Sequence, residues 1–158
     1  MEQQPASSPA ASDEEGAGTG GILGSAVYEM SPGKIAHTRD FVREFLFELR
    51  SRHGMNVSGR AVDTAQLIVS ELATNVAKYA PGPCQVDLEA SGGLLRISVW
   101  DSGTLLPAPE QADPSRVGRH GLEIVLLACR SFSVHRAPVG KRVRVEIPLH
   151  DSLGQTPA

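Results

Sequence analysis

Three stretches of this 158-residue chain carry side chains whose types and spacing could do chemistry. In Ser70-Glu71-Leu72-Ala73-Thr74-Asn75-Val76-Ala77-Lys78-Tyr79, the residues Glu71, Asn75 and Lys78 stand at i, i+4 and i+7. On a helix this spacing puts an acid, an amide and an ammonium on one stripe, beside a stripe that belongs to the core. A polar line next to an apolar one calls for an occupant. Downstream, Trp100-Asp101-Ser102-Gly103 ends an apolar run and sets a carboxylate at a turn where glycine lets a ligand approach the backbone; such a carboxylate could accept from an amino group. The third stretch, Gly118-Arg119-His120-Gly121-Leu122, brackets the start of a helix with two glycines. Exposed N–H groups and the helix dipole there favour an anion such as phosphate. Taken singly, each stretch also has a plain explanation: a solvated helix face, an Asp-Ser-Gly turn and a helix-start loop.

The elements that must position these residues follow from periodicity. Residues 26–30 read as a short strand, and Ser31-Pro32 as an N-cap followed by proline at the first helical position. Thr38, Phe41, Val42, Phe45, Leu46 and Leu49 then recur at three- and four-residue steps, a helix ending at His53-Gly54. A second helix, announced by Ser58 or Asp63, carries Ala61, Ala65, Ile68, Leu72, Val76 and Tyr79 down one side and stops at Pro81-Gly82-Pro83. Strands are predicted over 85–90 and 94–100, joined by Ser91-Gly92-Gly93 as a hairpin turn. Residues 102–117 contain Pro107, Pro109 and Pro114 and show neither period, so they read as a candidate lid. A short apolar helix over 121–130 and a closing pair of strands over 131–136 and 142–149 complete the pattern. Arg142 and Arg144 alternate with Val143 and Val145, as in a strand with one wet face. Helices and antiparallel strands come in blocks, which predicts an α+β two-layer sandwich.

One domain is expected over 22–150, between an acidic tail at 1–21, too poor in branched apolar residues to offset its ordering entropy, and a short flexible tail at 151–158. Of 18 acidic residues, Glu2, Asp13, Glu14 and Glu15 lie in that first tail; the rest nearly balance the 15 basic ones, so the footprint of a nucleic-acid binder is missing. No apolar run approaches the ~20 residues of a membrane span. Cys84 and Cys129 stand alone, without CxxC or metal-ligand spacing, and read as small packed side chains. With no basic segment leading into an apolar stretch near the start, a cytoplasmic location is expected. His37 opens the first helix and is taken as a surface residue rather than a phosphate acceptor.

In this order, Glu-x-x-x-Asn on a helix, Asp-x-Gly after a strand, Gly-x-x-Gly-Leu opening a helix and a terminal Gly-Lys-x-Val strand, the chain resembles the GHKL family of ATP-binding domains, whose fold is called the Bergerat fold. The sequence Gly-Arg-His-Gly-Leu-Glu-Ile-Val looks most like its anti-sigma-factor kinase branch. The resemblance spans residues 26–149. It implies a mixed, mostly antiparallel sheet covered on one face by about three helices. It implies ATP and Mg²⁺ as cofactors, with Glu71 as general base and Asn75 as an amide-oxygen ligand of the metal. Asp101 would accept from the adenine amino group, Gly103 would keep the wall beneath the base thin, Gly118 and Gly121 would let backbone wrap the phosphates, and Leu122 would close the site. Arg119 and His120 fall in the phosphate turn, while Lys78 and Tyr79 resemble a phosphate contact and a base-stacking contact. Where relatives often have Gly followed by Thr, this chain has Gly140-Lys141-Arg142, which removes a hydroxyl behind the adenine contact and implies weaker ATP binding.

What the resemblance implies is a serine/threonine protein kinase that holds a sigma factor inactive and phosphorylates an anti-sigma-factor antagonist, working as a homodimer without direct nucleic-acid or membrane contact. The alternative is a nucleotide-sensing module without transfer activity that regulates a partner protein. A domain that binds partners and no nucleotide ranks last.

Overall fold

The three- and four-residue recurrence beginning at Ile35 produces a 19-residue helix, α1 (Ile35–His53), entered through a single 3-10 turn with Pro32 near its start and closed at Gly54. Thr38, Val42, Leu46 and Leu49 form its buried stripe. The second helix, α2 (Gly59–Tyr79), starts where Ser58 caps it: the Ser58 hydroxyl accepts from the Ala61 N–H at 3.0 Å. That satisfies one of the four donors a helix start leaves open. Ala61, Ala65, Ile68, Val69, Leu72, Ala73 and Val76 run buried down α2, small residues alternating with branched ones so that α1 and the sheet can both pack closely.

The computed structural model describes residues 20–103 and 121–150. Within them the strands are β1 (Ile22–Met30), β2 (Gly82–Ser91), β3 (Leu94–Asp101), β4 (Ser131–Arg136) and β5 (Lys141–Pro148), with a short third helix, α3 (Gly121–Ala128), before β4. They form one sheet in the order β1-β2-β3-β5-β4, and all four pairings are antiparallel. The mixed sheet expected from the resemblance is therefore antiparallel throughout the described residues. The α+β two-layer sandwich stands, with the helices on one face. Several ends move: β1 begins at Ile22 rather than 26, β2 at Gly82 rather than 85, β5 at Lys141 rather than 142, and α3 stops at Ala128. Backbone pairing accounts for the longer strands, because nine consecutive residues of β1 face β2 even where Gly24 and Ser25 have little strand preference of their own. Between β2 and β3, Ser91 faces Leu94 across a two-residue turn in which Gly92 and Gly93 take φ of 60° and 80°. Only such a primed turn follows the twist of the two strands.

Residues of even and odd register separate cleanly. The inward rows across the sheet are Val86, Val99, Val143 and Val134; then Leu88, Ile97, Val145 and Phe132; then Ala90, Leu95 and Ile147. These meet α1 and α2 in one core, where each fully buried Val, Leu or Ile contributes about 1.5–3 kcal/mol. The outward rows are mostly polar, with Leu23 and Val27 of β1 exposed at their edge. Arg96 donates to Glu146 at 2.8 Å and to Glu89 at 3.0 Å, Trp100 donates to Asp87 at 3.1 Å, and the Arg142 guanidinium lies 5.4 Å from the Trp100 ring centre. Arg142 and Arg144 thus occupy the wet face that their alternation with valines predicts. No helix among the described residues is long and apolar enough to cross a membrane.

Candidate functional site

One inward row does not follow the apolar rule. At the end of the sheet nearest the last turn of α2, Tyr28 of β1 faces Cys84 of β2, Cys84 faces Asp101 of β3, Asp101 faces Lys141 of β5, and Lys141 faces Arg136 of β4. The core therefore ends in titratable groups, all on the helix side of the sheet. Asp101 and Lys141 are buried, their side chains 2% and 8% exposed. The Lys141 ammonium donates to both Asp101 oxygens at 3.0 Å, and the Gly103 N–H donates to Oδ1 at 2.7 Å. Removing one member of such a buried pair strands the other charge, typically at a cost of about 3–5 kcal/mol.

Glycine supports this turn twice. A methyl group added at Gly103 would sit 2.6 Å from the Ala80 Cβ, just beyond α2, and 3.2 Å from Asp101 Oδ1. Gly140, at φ +87°, lies against the carbonyl of Asp101 and the Cα of Ser102, so that any side chain there would overlap the backbone of the turn. The chain between β4 and β5 thus presses directly on the end of β3. Burial, followed by the Asp101 charge across the strand pair and partly offset by Lys141, pushes the Cys84 thiol up to about 12. Burial also raises the thiol of the half-buried Cys129. Because the thiolate is the nucleophile, iodoacetamide at about pH 8 should modify Cys129 well before Cys84 in the folded protein. Peptide mapping after timed quenching checks this, and equal rates at the two thiols would contradict the burial of the Asp101 row.

The other half of the site lies on α2. Glu71 and Asn75 are half-buried on successive turns, while Lys78 and Tyr79 are exposed in the last turn. Gly121, the first residue of α3, is buried directly against the Glu71 carboxylate, and a Cβ there would overlap Oε1. Leu122 is buried beside it. Glu71 therefore touches the start of α3, whereas Ala80, nine residues further along, touches Gly103. At 1.5 Å per residue the two contacts lie about 13 Å apart along α2, the reach of a nucleoside triphosphate. Of the residues singled out by sequence, Glu71 lies against Gly121, and Asp101 and Gly103 share the turn that meets Ala80 beyond the end of α2; Asn75 shares the Glu71 stripe of α2. Gly118, Arg119 and His120 lie outside the described residues, as does the candidate lid from residue 104 on.

Sequence reasoning missed Lys141 as a site residue, treating Gly140-Lys141-Arg142 only as a lost hydroxyl. A signal was available: Lys141 shares the inward parity of Val143 and Val145, and a lysine on the core side of a strand needs a buried acid. Among the described residues no group of three or more His, Cys, Asp or Glu could hold a metal ion. A single amide oxygen beside a carboxylate suits Mg²⁺, a hard cation that keeps waters and takes most of its remaining ligands from phosphates.

A family model described as "Histidine kinase-like ATPase domain" matches residues 30–147. No curated protein matches the chain. Among solved structures, the histidine kinase domain of a blue-light activated histidine kinase from Erythrobacter litoralis is similar at 20% identity and a TM-score of 0.45, over 71% of this chain and 61% of that one. The chain thus spans less than two thirds of that structure's length. The catalytic domain of histidine kinase ThkA, in a nucleotide-free form, is similar at 13% identity and a TM-score of 0.45, over 80% of this chain and 97% of that one.

Proposed function

Since this chain belongs to the histidine kinase-like ATPase domain family, we propose that it binds ATP along α2 and uses it as a serine/threonine protein kinase. On this reading it acts as a homodimeric anti-sigma factor that holds a sigma factor inactive and phosphorylates an anti-sigma-factor antagonist. The observation that carries the reading is the placement of Glu71 and Asn75 on successive turns of a helix whose end abuts the Asp101 turn. The wording Gly118-Arg119-His120-Gly121-Leu122-Glu123-Ile124-Val125 supports the anti-sigma branch.

Asp101 accepts from the base, Gly103 and Ala80 form the wall beside it, and Asn75 contributes its amide oxygen to a magnesium ion. When bound, that ion neutralises charge on the phosphates. Glu71 takes the proton of the attacking hydroxyl. Tyr79, exposed at the end of α2, offers a ring for stacking and Lys78 a cation for phosphate; Gly118, Arg119, His120 and Gly121 supply phosphate contacts by resemblance. Incubation with labelled ATP, Mg²⁺ and candidate antagonist proteins should transfer label to a serine or threonine of the antagonist. Absence of transfer to any antagonist that binds the protein would sink the kinase assignment. Asn75→Ala should weaken ATP binding about tenfold or more in Mg²⁺ and change little in EDTA, since it removes a ligand of the metal rather than of the nucleotide. Equal losses in both buffers would contradict the metal role.

The altered terminal motif, Gly140-Lys141-Arg142 where relatives often have Gly followed by Thr, is what favours the non-catalytic alternative, a nucleotide-sensing module. ADP accumulation or partner phosphorylation separates the two readings, because a sensing module binds nucleotide and releases it unchanged.

A further inference from the structure

Two arginines on the outward face of the sheet are held by packing and not by acids. Arg142 and Arg144 stand two residues apart on β5, opposite Trp100 and Ser98 of β3 and opposite His135 and Ser133 of β4. The Arg142 guanidinium lies 5.4 Å from the Trp100 ring centre, and its Nε is buried without a hydrogen-bond partner. The Arg144 Nε donates to the Ser98 hydroxyl at 3.3 Å. The acids of the same face are engaged elsewhere: Glu89 and Glu146 both accept from Arg96, and Asp87 accepts from Ser25, Gln85 and Trp100. Among the described residues no carboxylate lies within ion-pair distance of Arg142 or Arg144. Burial, followed by the charges of Arg142 and Arg96 and only partly offset by Glu89 and Glu146, holds the Arg144 guanidinium below its ordinary value. Such a cation gains from any negative charge brought beside it.

The chain carries that charge within reach. Asp13-Glu14-Glu15, outside the described residues, is joined to β1 by Gly16-Ala17-Gly18-Thr19-Gly20-Gly21. Ile22, the first residue of β1, is level with Ala90, Leu95 and Ile147 on the next three strands, and Arg144 lies three residues along β5 from Ile147. At ~4.8 Å between strands and ~3.3 Å per residue, Arg144 is about 17 Å from Ile22. Glu15 precedes Ile22 by seven residues. A glycine-rich chain of that length has a root-mean-square span of about 13–16 Å and a limit of about 25 Å. A linker matched to its span gives a near-maximal effective concentration, on the order of millimolar. The spacing matches too: in an extended segment Asp13 and Glu15 are one two-residue step of ~6.6 Å apart, the same step that separates Arg142 from Arg144. We propose that the outward face of β5 is the docking site of the chain's own acidic segment, with Asp13-Glu14-Glu15 laid against Arg142 and Arg144. Carboxylates there form charge-assisted hydrogen bonds with the two guanidiniums, and the segment covers Trp100. The face lies across the sheet from α2, so this docking is independent of the nucleotide reading.

Trp100 is the only tryptophan of the chain and reports on this face directly. Quenching of its fluorescence by acrylamide, a neutral molecule, measures cover rather than charge. In the full chain at low ionic strength, the triple variant Asp13→Asn, Glu14→Gln, Glu15→Gln should raise quenching at least about twofold, and about 0.5 M NaCl should bring wild type to the same level. A second measurement locates the contact. Arg144→Lys places an amine at position 144, and a carbodiimide should couple it to residues 13–15 of the same chain at least about tenfold more than it couples them to Lys34 or Lys78. Peptide mapping by mass spectrometry reads the yields. If Arg144→Lys does not fold, the quenching comparison decides. The docking is overturned if wild type and the neutralised variant are quenched alike, or if coupling at position 144 does not exceed coupling to Lys34 and Lys78. Coupling found only in covalent dimers would assign the face to a second copy's segment and overturn it equally.

Discussion

Glu71→Gln should nearly abolish phosphoryl transfer while leaving ATP binding in place. Glutamine keeps the shape that packs against Gly121 at the start of α3, so the site's walls stay where they are, but an amide cannot take a proton from the attacking hydroxyl. General-base contributions are about 10²–10⁴-fold, and a loss of that size in kcat with the Kd for Mg·ATP changed by less than about threefold is expected. Glu71→Ala should lose as much transfer and in addition open space beside Gly121. Single-turnover transfer from labelled ATP to the antagonist, with binding followed in parallel, separates the two effects. Equal labelling by wild type and Glu71→Gln would remove Glu71 from the role of base. A parallel loss of binding and transfer would make it a structural support for α3 instead.

The second large effect concerns the backbone. Gly140→Ala should destabilise the fold by at least about 3 kcal/mol, because two costs coincide at one atom. Its φ of +87° lies where a side chain is strained, and the new methyl would overlap the Asp101 carbonyl and Ser102. Neither can be relieved locally, since the residues it meets are main chain on a strand paired from both sides. Relief would have to come from the β4–β5 turn lifting off, which would draw Lys141 away from Asp101. Urea unfolding of the two proteins measures the difference. Gly92→Ala offers a control: it also has positive φ, yet nothing lies within 4 Å of the added methyl, so it should lose only the about 1–2 kcal/mol of the left-handed conformation. If Gly140→Ala is no worse than Gly92→Ala, the close approach of the two turns is wrong.

Much of the fold was legible because it obeys local rules. The α1 stripe, the Gly-Gly hairpin and the alternation around Val143 and Val145 each have one physical reading, and each element stands where that reading puts it; of the two caps offered for α2, Ser58 and Asp63, Ser58 is the one that caps it. What sequence understated were strand ends. Gly24, Ser25, Gly82 and Pro83 have the chemistry of turns, and only the neighbouring strand's hydrogen bonds hold them extended. The same error hid half of the candidate site. Starting the last strand at Arg142 left Lys141 outside the parity that separates core from water, and so it read only as a lost hydroxyl. Once β5 begins at Lys141, the lysine must point inward, and Asp101 directly opposite supplies its partner. Glu71 and Asn75 were legible from helical spacing, since i and i+4 share a face whatever the tertiary structure. The contacts of Glu71 with Gly121 and of Ala80 with Gly103 were not, because they depend on how α3 and the β3 end meet α2 across distant parts of the chain.

The central claim is that one ligand spans α2 from Glu71 to the Asp101 turn. Hydrogen exchange of the full chain, with and without saturating Mg·ATP, addresses it most directly. The account predicts slowed exchange in three separated stretches together: the second half of α2, residues 101–103, and residues 140–141. Bound nucleotide that leaves those stretches unchanged, or protects only the outward face of the sheet, would contradict it.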